Sequence, residues 1–138
     1  MTDDVHNQPY SGGEMWQGDG IQFAIQSTEQ TGFWEIGLSR RNDGNSESFV
    51  WVAPKGFDNR KVIPQIRLQT SRDGQITTYQ AAIPLEAIGL TKNTMRNGIR
   101  FNLLVNDNDG ELREGWINIA PNLGTNKNPA SYPFVVFE

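Results

Sequence analysis

Ile21-Gln22-Phe23-Ala24-Ile25-Gln26 and Ile99-Arg100-Phe101-Asn102-Leu103-Leu104-Val105-Asn106 place apolar side chains at every second position. Successive side chains of an extended chain point to opposite faces, so this period of two marks strands with one face turned to a core. Working outward, weaker versions of the pattern predict strands at residues 33–40, 48–53, 65–70, 75–83, 113–120 and 133–137. Asn42-Asp43-Gly44-Asn45, Ser71-Arg72-Asp73-Gly74 and the run from Asn106 to Gly110 separate them and supply the residue types that tolerate the positive φ of tight turns. Only residues 84–90 read as helical, with Pro84 suited to a helix start and Gly89 to its end. Short strands at this spacing predict an all-β fold, an antiparallel β-sandwich of jelly-roll type, in one domain spanning 1–138.

Composition removes several classes of function. The formal charge of −4 is scattered, with no basic cluster to neutralise a phosphate backbone, which argues against nucleic acid as a partner. The absence of cysteine excludes disulfides, thiolate metal sites and cysteine nucleophiles, and leaves the compartment open. No stretch is long and apolar enough to span a membrane, and the first seven residues lack the pattern of a signal peptide. The opening Met1-Thr2-Asp3-Asp4 already reads as loop, so an N-terminus further upstream is expected.

Little in the chain suggests catalysis. His6 is the only histidine, and no serine or carboxylate is connected to it by spacing, so a triad is not expected. None of the sixteen acidic residues stands out as a member of an acid pair for glycoside hydrolysis. Asn106-Asp107-Asn108-Asp109-Gly110, with Glu111 and Glu114, offers oxygen ligands at alternating positions as calcium loops do; it also reads as a polar hairpin turn.

The four tryptophans are more informative. Trp34, Trp51 and Trp116 lie in predicted strands, where a core position is the expectation. Trp16 instead follows the glycine-rich Ser11-Gly12-Gly13 and precedes Gln17-Gly18-Asp19. An indole in a loop flanked by amide and carboxylate groups suits a sugar ring, which offers an apolar C–H face and a girdle of hydroxyls; packing over a sandwich edge is the alternative.

Met15-Trp16-Gln17-Gly18-Asp19-Gly20-Ile21-Gln22-Phe23-Ala24-Ile25, preceded by Asp3-Asp4-Val5-His6, resembles the segment around the binding tryptophan of family 9 carbohydrate-binding modules. Tyr79-Gln80-Ala81-Ala82-Ile83-Pro84-Leu85, Arg100-Phe101-Asn102-Leu103-Leu104-Val105-Asn106-Asp107 and Asn128-Pro129-Ala130-Ser131-Tyr132-Pro133 resemble later landmarks of that family in the same order. The resemblance implies a non-catalytic sandwich, extracellular, periplasmic or on the cell surface. It would be attached to a catalytic or surface domain and bind polysaccharide or oligosaccharide chain ends between two tryptophans, with structural calcium at Asn106 to Glu114 or at Asp3-Asp4.

Residue by residue, the resemblance makes Trp16 the stacking platform and puts Gln22 where the family has a sugar-contacting glutamate. Glu35 falls near a family arginine, and Asp19 supplies polar contacts or loop order. The second tryptophan falls near Asn126, where there is none, so Asn126, Lys127 or Tyr132 would form the other wall. The family's opening strands precede Met1, which predicts an open sheet edge near residues 21–26 and 33–40. Two other readings remain: a structural or interaction sandwich with no sugar site, and a haem domain ligated by His6 with Met15 or Met95. The lone histidine argues against haem.

Overall fold

The computed structural model describes residues 1–137, and all eight strands predicted from the sequence form within them. They are β1 (Gly20–Gln26), β2 (Trp34–Arg40), β3 (Ser46–Val52), β4 (Arg67–Asp73), β5 (Ile76–Ala82), β6 (Ile99–Asp107), β7 (Gly115–Asn118) and β8 (Phe134–Val135). Every pairing between these strands is antiparallel. One sheet has the order β3-β2-β1-β6-β7, with β8 paired to the start of β6, and β4 and β5 form a two-stranded second sheet. The second layer turns at Gly74, where φ is +54°. The N-terminal residues extend it: Asp3 N donates to Gln75 O at 2.9 Å and Thr77 N to Met1 O at 2.9 Å.

The main core lies on one face of the large sheet. Phe23 and Ile25 from β1, Trp34, Ile36 and Leu38 from β2, Val50 from β3 and Ile99 from β6 all turn inward there. These are the alternate positions of the sequence pattern, so the period of two correctly identifies the core face. No strand edge lies open at β1 or β2, which corrects the expectation of an exposed edge. β1 is paired with β2 and β6, and β2 with β1 and β3. Strongly apolar strands gain most from burial on both faces and therefore take central places in the sheet. The thinness of the second layer leaves instead an open apolar cavity of about 490 Å³, lined among others by Phe23, Leu38, Tyr79, Leu103 and Phe137.

The helical segments are short. Residues predicted as a helix at 84–90 form a 3₁₀ turn, Leu85–Ile88, ended by Gly89 at φ +66°. A second helix, α1 (Lys92–Asn97), escapes the sequence reading. Its capping box is reciprocal: Thr94 N donates to Thr91 Oγ1 at 3.0 Å, and Thr91 N to Thr94 Oγ1 at 3.2 Å. The sequence signal is weak because threonine occupies the position where glutamate or glutamine usually completes the box. Among the described residues, no helix is long and apolar enough to cross a membrane.

Candidate functional site

The opposite face of the same sheet carries the candidate site. Antiparallel register sets Gln22 beside Gly37 on one side and Leu104 on the other, Ala24 beside Glu35, and Asn106 beside Trp116. Directly opposed residues share a face, so Gln22, Glu35, Leu104 and Trp116 lie together on the side away from the main core. Trp51 joins them, because Val50 before it points into the core. A cleft of about 450 Å³ opens over this face, with Trp16, Gln22, Glu35, Trp51, Arg113 and Lys127 among its lining residues.

Trp16 reaches the cleft from a 3₁₀ turn, Gly12–Gln17, rather than from an open loop. Its neighbour Met15 anchors that turn: Met15 is buried, and a Cβ at Gly37 would overlap the Trp51 indole and stand 2.8 Å from Met15 Sδ. Gly37 is thus required by close packing. Trp51 Nε1 donates to Gly13 O at 2.9 Å, and Gln8 Nε2 to Met15 O at 2.9 Å. With its backbone held on both sides, Trp16 keeps its ring 40% exposed.

Two polar side chains form the floor. Gln22 is buried, and its amide has no side-chain hydrogen bond among the described residues. Glu35 is buried too and pairs with Lys127 Nζ at 2.7 Å. Burial pushes the Glu35 carboxyl above the usual range, and Lys127 pulls against it. Lys127 comes from the long loop after β7, with φ at +51°. Asn102 ties down the start of that loop through Nδ2 to Ala120 O at 2.8 Å.

Of Asn126, Lys127 and Tyr132, the three residues expected at the other wall, Lys127 alone lines the cleft. Asn126 is exposed and does not line the cleft, while Tyr132 is buried beneath it with Ala24, Leu104 and Leu123. The second exposed indole on this side is Trp116, 41% exposed and packed against Gly124, where an added Cβ would lie 3.1 Å from Trp116 Nε1. Arg113 lies between the two indoles, its guanidinium carbon 5.1 Å from the Trp16 ring centre and 4.5 Å from that of Trp116. The expectation that Trp51 and Trp116 belong to the core therefore fails. β3 buries its other face through Val50, whereas on β7 Ile117 of the other face is exposed as well, and period-two alternation alone cannot say which face carries a buried indole. Arg113 and Arg60, also at the cleft, carry no sequence motif.

Asp19 lies away from the cleft, with no exposed surface. Its oxygens accept Asn7 N at 2.6 Å and Asn108 N at 2.8 Å, and Asn108 Nδ2 donates to Gln17 O at 2.6 Å. Asp19 thus orders the segments beside Trp16, and no sugar can reach it. Burial raises its pKa from 3.8 to about 7, the two backbone N–H bonds opposing the rise. Its Oδ2 is 3.3 Å from His6 Nδ1, which is buried with no other partner. His6 Nε2 must carry a hydrogen, because it lies 2.8 Å from the acceptor-only Arg40 carbonyl.

Two groups of side chains bring ligand atoms within 4.8 Å of one another: Asp3, His6 and Asp19, and Asp3, Asp107 and Asp109. In the first, backbone N–H groups already occupy both oxygens of Asp19. The second suits a hard cation better, since it is three carboxylates. There Asp109 is held above the ordinary carboxylate range, by desolvation first and then by Asp4, Asp107, Glu114 and Asp3. A haem fits less well. His6 is held between Asp19 and Arg40, and Met15 is packed against Gly37.

Neither a family model nor a curated protein matches the sequence. Among solved structures, the chain is similar to a family 9 carbohydrate-binding module from Caldicellulosiruptor kristjanssonii in complex with glucose, with a TM-score of 0.68 and 16% identity. The match covers 99% of this chain, which spans 66% of that one. At this identity the likeness concerns the fold, and this chain has the β-sandwich fold of a family 9 carbohydrate-binding module.

Proposed function

We propose that this chain is a non-catalytic carbohydrate-binding module that takes a polysaccharide or oligosaccharide in the cleft over β1, β2 and β6. The observation that carries this reading is an indole, Trp16, held exposed by a rigid turn beside the unpartnered amide of Gln22. An aromatic face with convergent polar groups suits a ring that is apolar on its faces and hydroxylated at its rim. The structural neighbour, solved with glucose, supports the same class of ligand. Glu35 and Lys127 supply further polar atoms, and Trp51 supplies a second indole in the lining. A calcium ion at Asp3, Asp107 and Asp109 would order the turn after β6. The protein would act outside the cell, attached to a catalytic or surface domain.

The test is titration calorimetry against soluble β-glucan oligosaccharides for the native chain and for Trp16→Ala. The variant should lose at least about tenfold in affinity, or about 1.4 kcal/mol, while keeping the native circular dichroism spectrum. Unchanged affinity would remove Trp16 from the site. A complete lack of binding across neutral and acidic glycans would favour a structural or interaction sandwich.

A further inference from the structure

The charge of the cleft departs from that of the chain. The whole sequence carries −4, yet the cleft brings Arg60, Arg113 and Lys127 together against Glu14 and Glu35. Lys127 is committed to Glu35 at 2.7 Å, and Glu14 accepts Gln17 Nε2 at 2.6 Å. Among the described residues, neither Arg60 nor Arg113 forms an ion pair.

Arg113 is the more informative of the two. Two indole faces hold its guanidinium, and one hydrogen bond, Nη1 to Asn106 Oδ1 at 3.0 Å, orients it. That bond engages one N–H, and Arg113 has no carboxylate partner among the described residues, so further N–H donors of the planar fork remain for a second acceptor. Desolvation by burial lowers the pKa of Arg113, a cost that no carboxylate among the described residues offsets. A neutral sugar offers only hydroxyls here. A carboxylate matches the fork in two parallel charge-assisted bonds. Arg60 adds a second cation; a Cβ at Gly13 would lie 3.2 Å from its Nη2.

We propose that the cleft selects acidic glycans, its ligand being a uronic acid residue whose carboxylate pairs with the guanidinium that Trp16 and Trp116 hold between them, with Arg60 as a second cation. This rests on the reading of the cleft as a sugar site and names the class of sugar.

The experiment compares two β-1,4-glucan oligosaccharides of equal length, one neutral and one carrying carboxylates at C6, titrated into the intact chain. The acidic ligand should bind at least about tenfold more tightly, equivalent to about 1.4 kcal/mol. That advantage should shrink between about 0.01 M and about 1 M salt, as the screening length falls from roughly 30 Å to 3 Å. Arg113→Gln should reduce the acid-to-neutral ratio toward unity, and Arg113→Lys should restore only part of it, since an ammonium lacks the fork. If Arg113→Gln unfolds, Arg60→Gln takes its place and should lower the same ratio. Equal binding of both glycans, or a preference for the neutral one, overturns the acidic selection and leaves the sugar site standing. Binding of neither overturns both.

Discussion

The two faces of the large sheet are built from the same strands and serve opposite ends. On the core face, Trp34 is 1% exposed, donates Nε1 to Ile88 O at 3.0 Å and meets Phe57 edge-on with ring centres 5.0 Å apart. On the cleft face, Trp16 and Trp116 stay about 40% exposed with a cation between them. The difference shows that burial of a strand does not by itself define a core. The cleft face also buries residues, but beside the small cluster of Ala24, Leu104, Leu123 and Tyr132 they include Gln22, Glu35, Asn102 and Asn106, polar groups that need partners. A layer of loops covers that face, and its hydrogen bonds hold a shape that apolar packing alone would close.

The sharpest way to break the comparison is to truncate one tryptophan on each face. Trp34→Ala should cost about 3–5 kcal/mol in urea unfolding, as large aromatic truncations in packed cores do. Trp16→Ala should stay within about 0.5 kcal/mol of the native chain, as a surface change does. Comparable losses for the two would mean that the cleft face is a second core.

A smaller effect belongs to the loop layer. Asp19→Asn turns an amide N–H toward one of the two backbone donors that the carboxylate now accepts, at a cost of about 1–3 kcal/mol. The pH dependence sharpens this. The folded chain keeps the Asp19 proton up to about pH 7, while the unfolded chain releases it near 3.8. The folded state therefore binds more protons across that window, and the contribution of Asp19 to stability falls as pH rises through it. His6 acts in the opposite sense: burial lowers its pKa below 6.5, so its contribution rises with pH near that value. The deficit of Asp19→Asn relative to the native chain should thus narrow from pH 4 to pH 6. Urea midpoints over that range test it, and a constant deficit would show that Asp19 is ionised throughout.

The smallest effect expected is that of a cation at Asp3, Asp107 and Asp109. Chelation should lower the melting temperature by a few degrees, because a ligand bound only to the folded state stabilises it by mass action. Identical melting curves in chelator and in calcium would leave those carboxylates as a solvated turn.

Alternation at 21–26 and 99–106 was enough to predict strands, their core face and a sandwich, because the period of two is local and each strand carries it alone. Trp16 was legible for a similar reason: glycines and polar neighbours mark a residue held out of a core. The rest of the site depended on register. Trp116 shares the cleft face because it pairs opposite Asn106, and Arg113 lines the cleft because the turn between β6 and β7 returns it over Trp16. Asp19 reads as a sugar contact in the sequence and becomes a buried loop clamp only when Asn7 and Asn108 converge on it. Residues about ninety positions apart meet through strand pairing, and no local pattern carries that information. The sequence by itself determined the strands and their inward face; the tertiary structure alone decided what the other face assembles, since a sheet has two sides and alternation does not name the one left open.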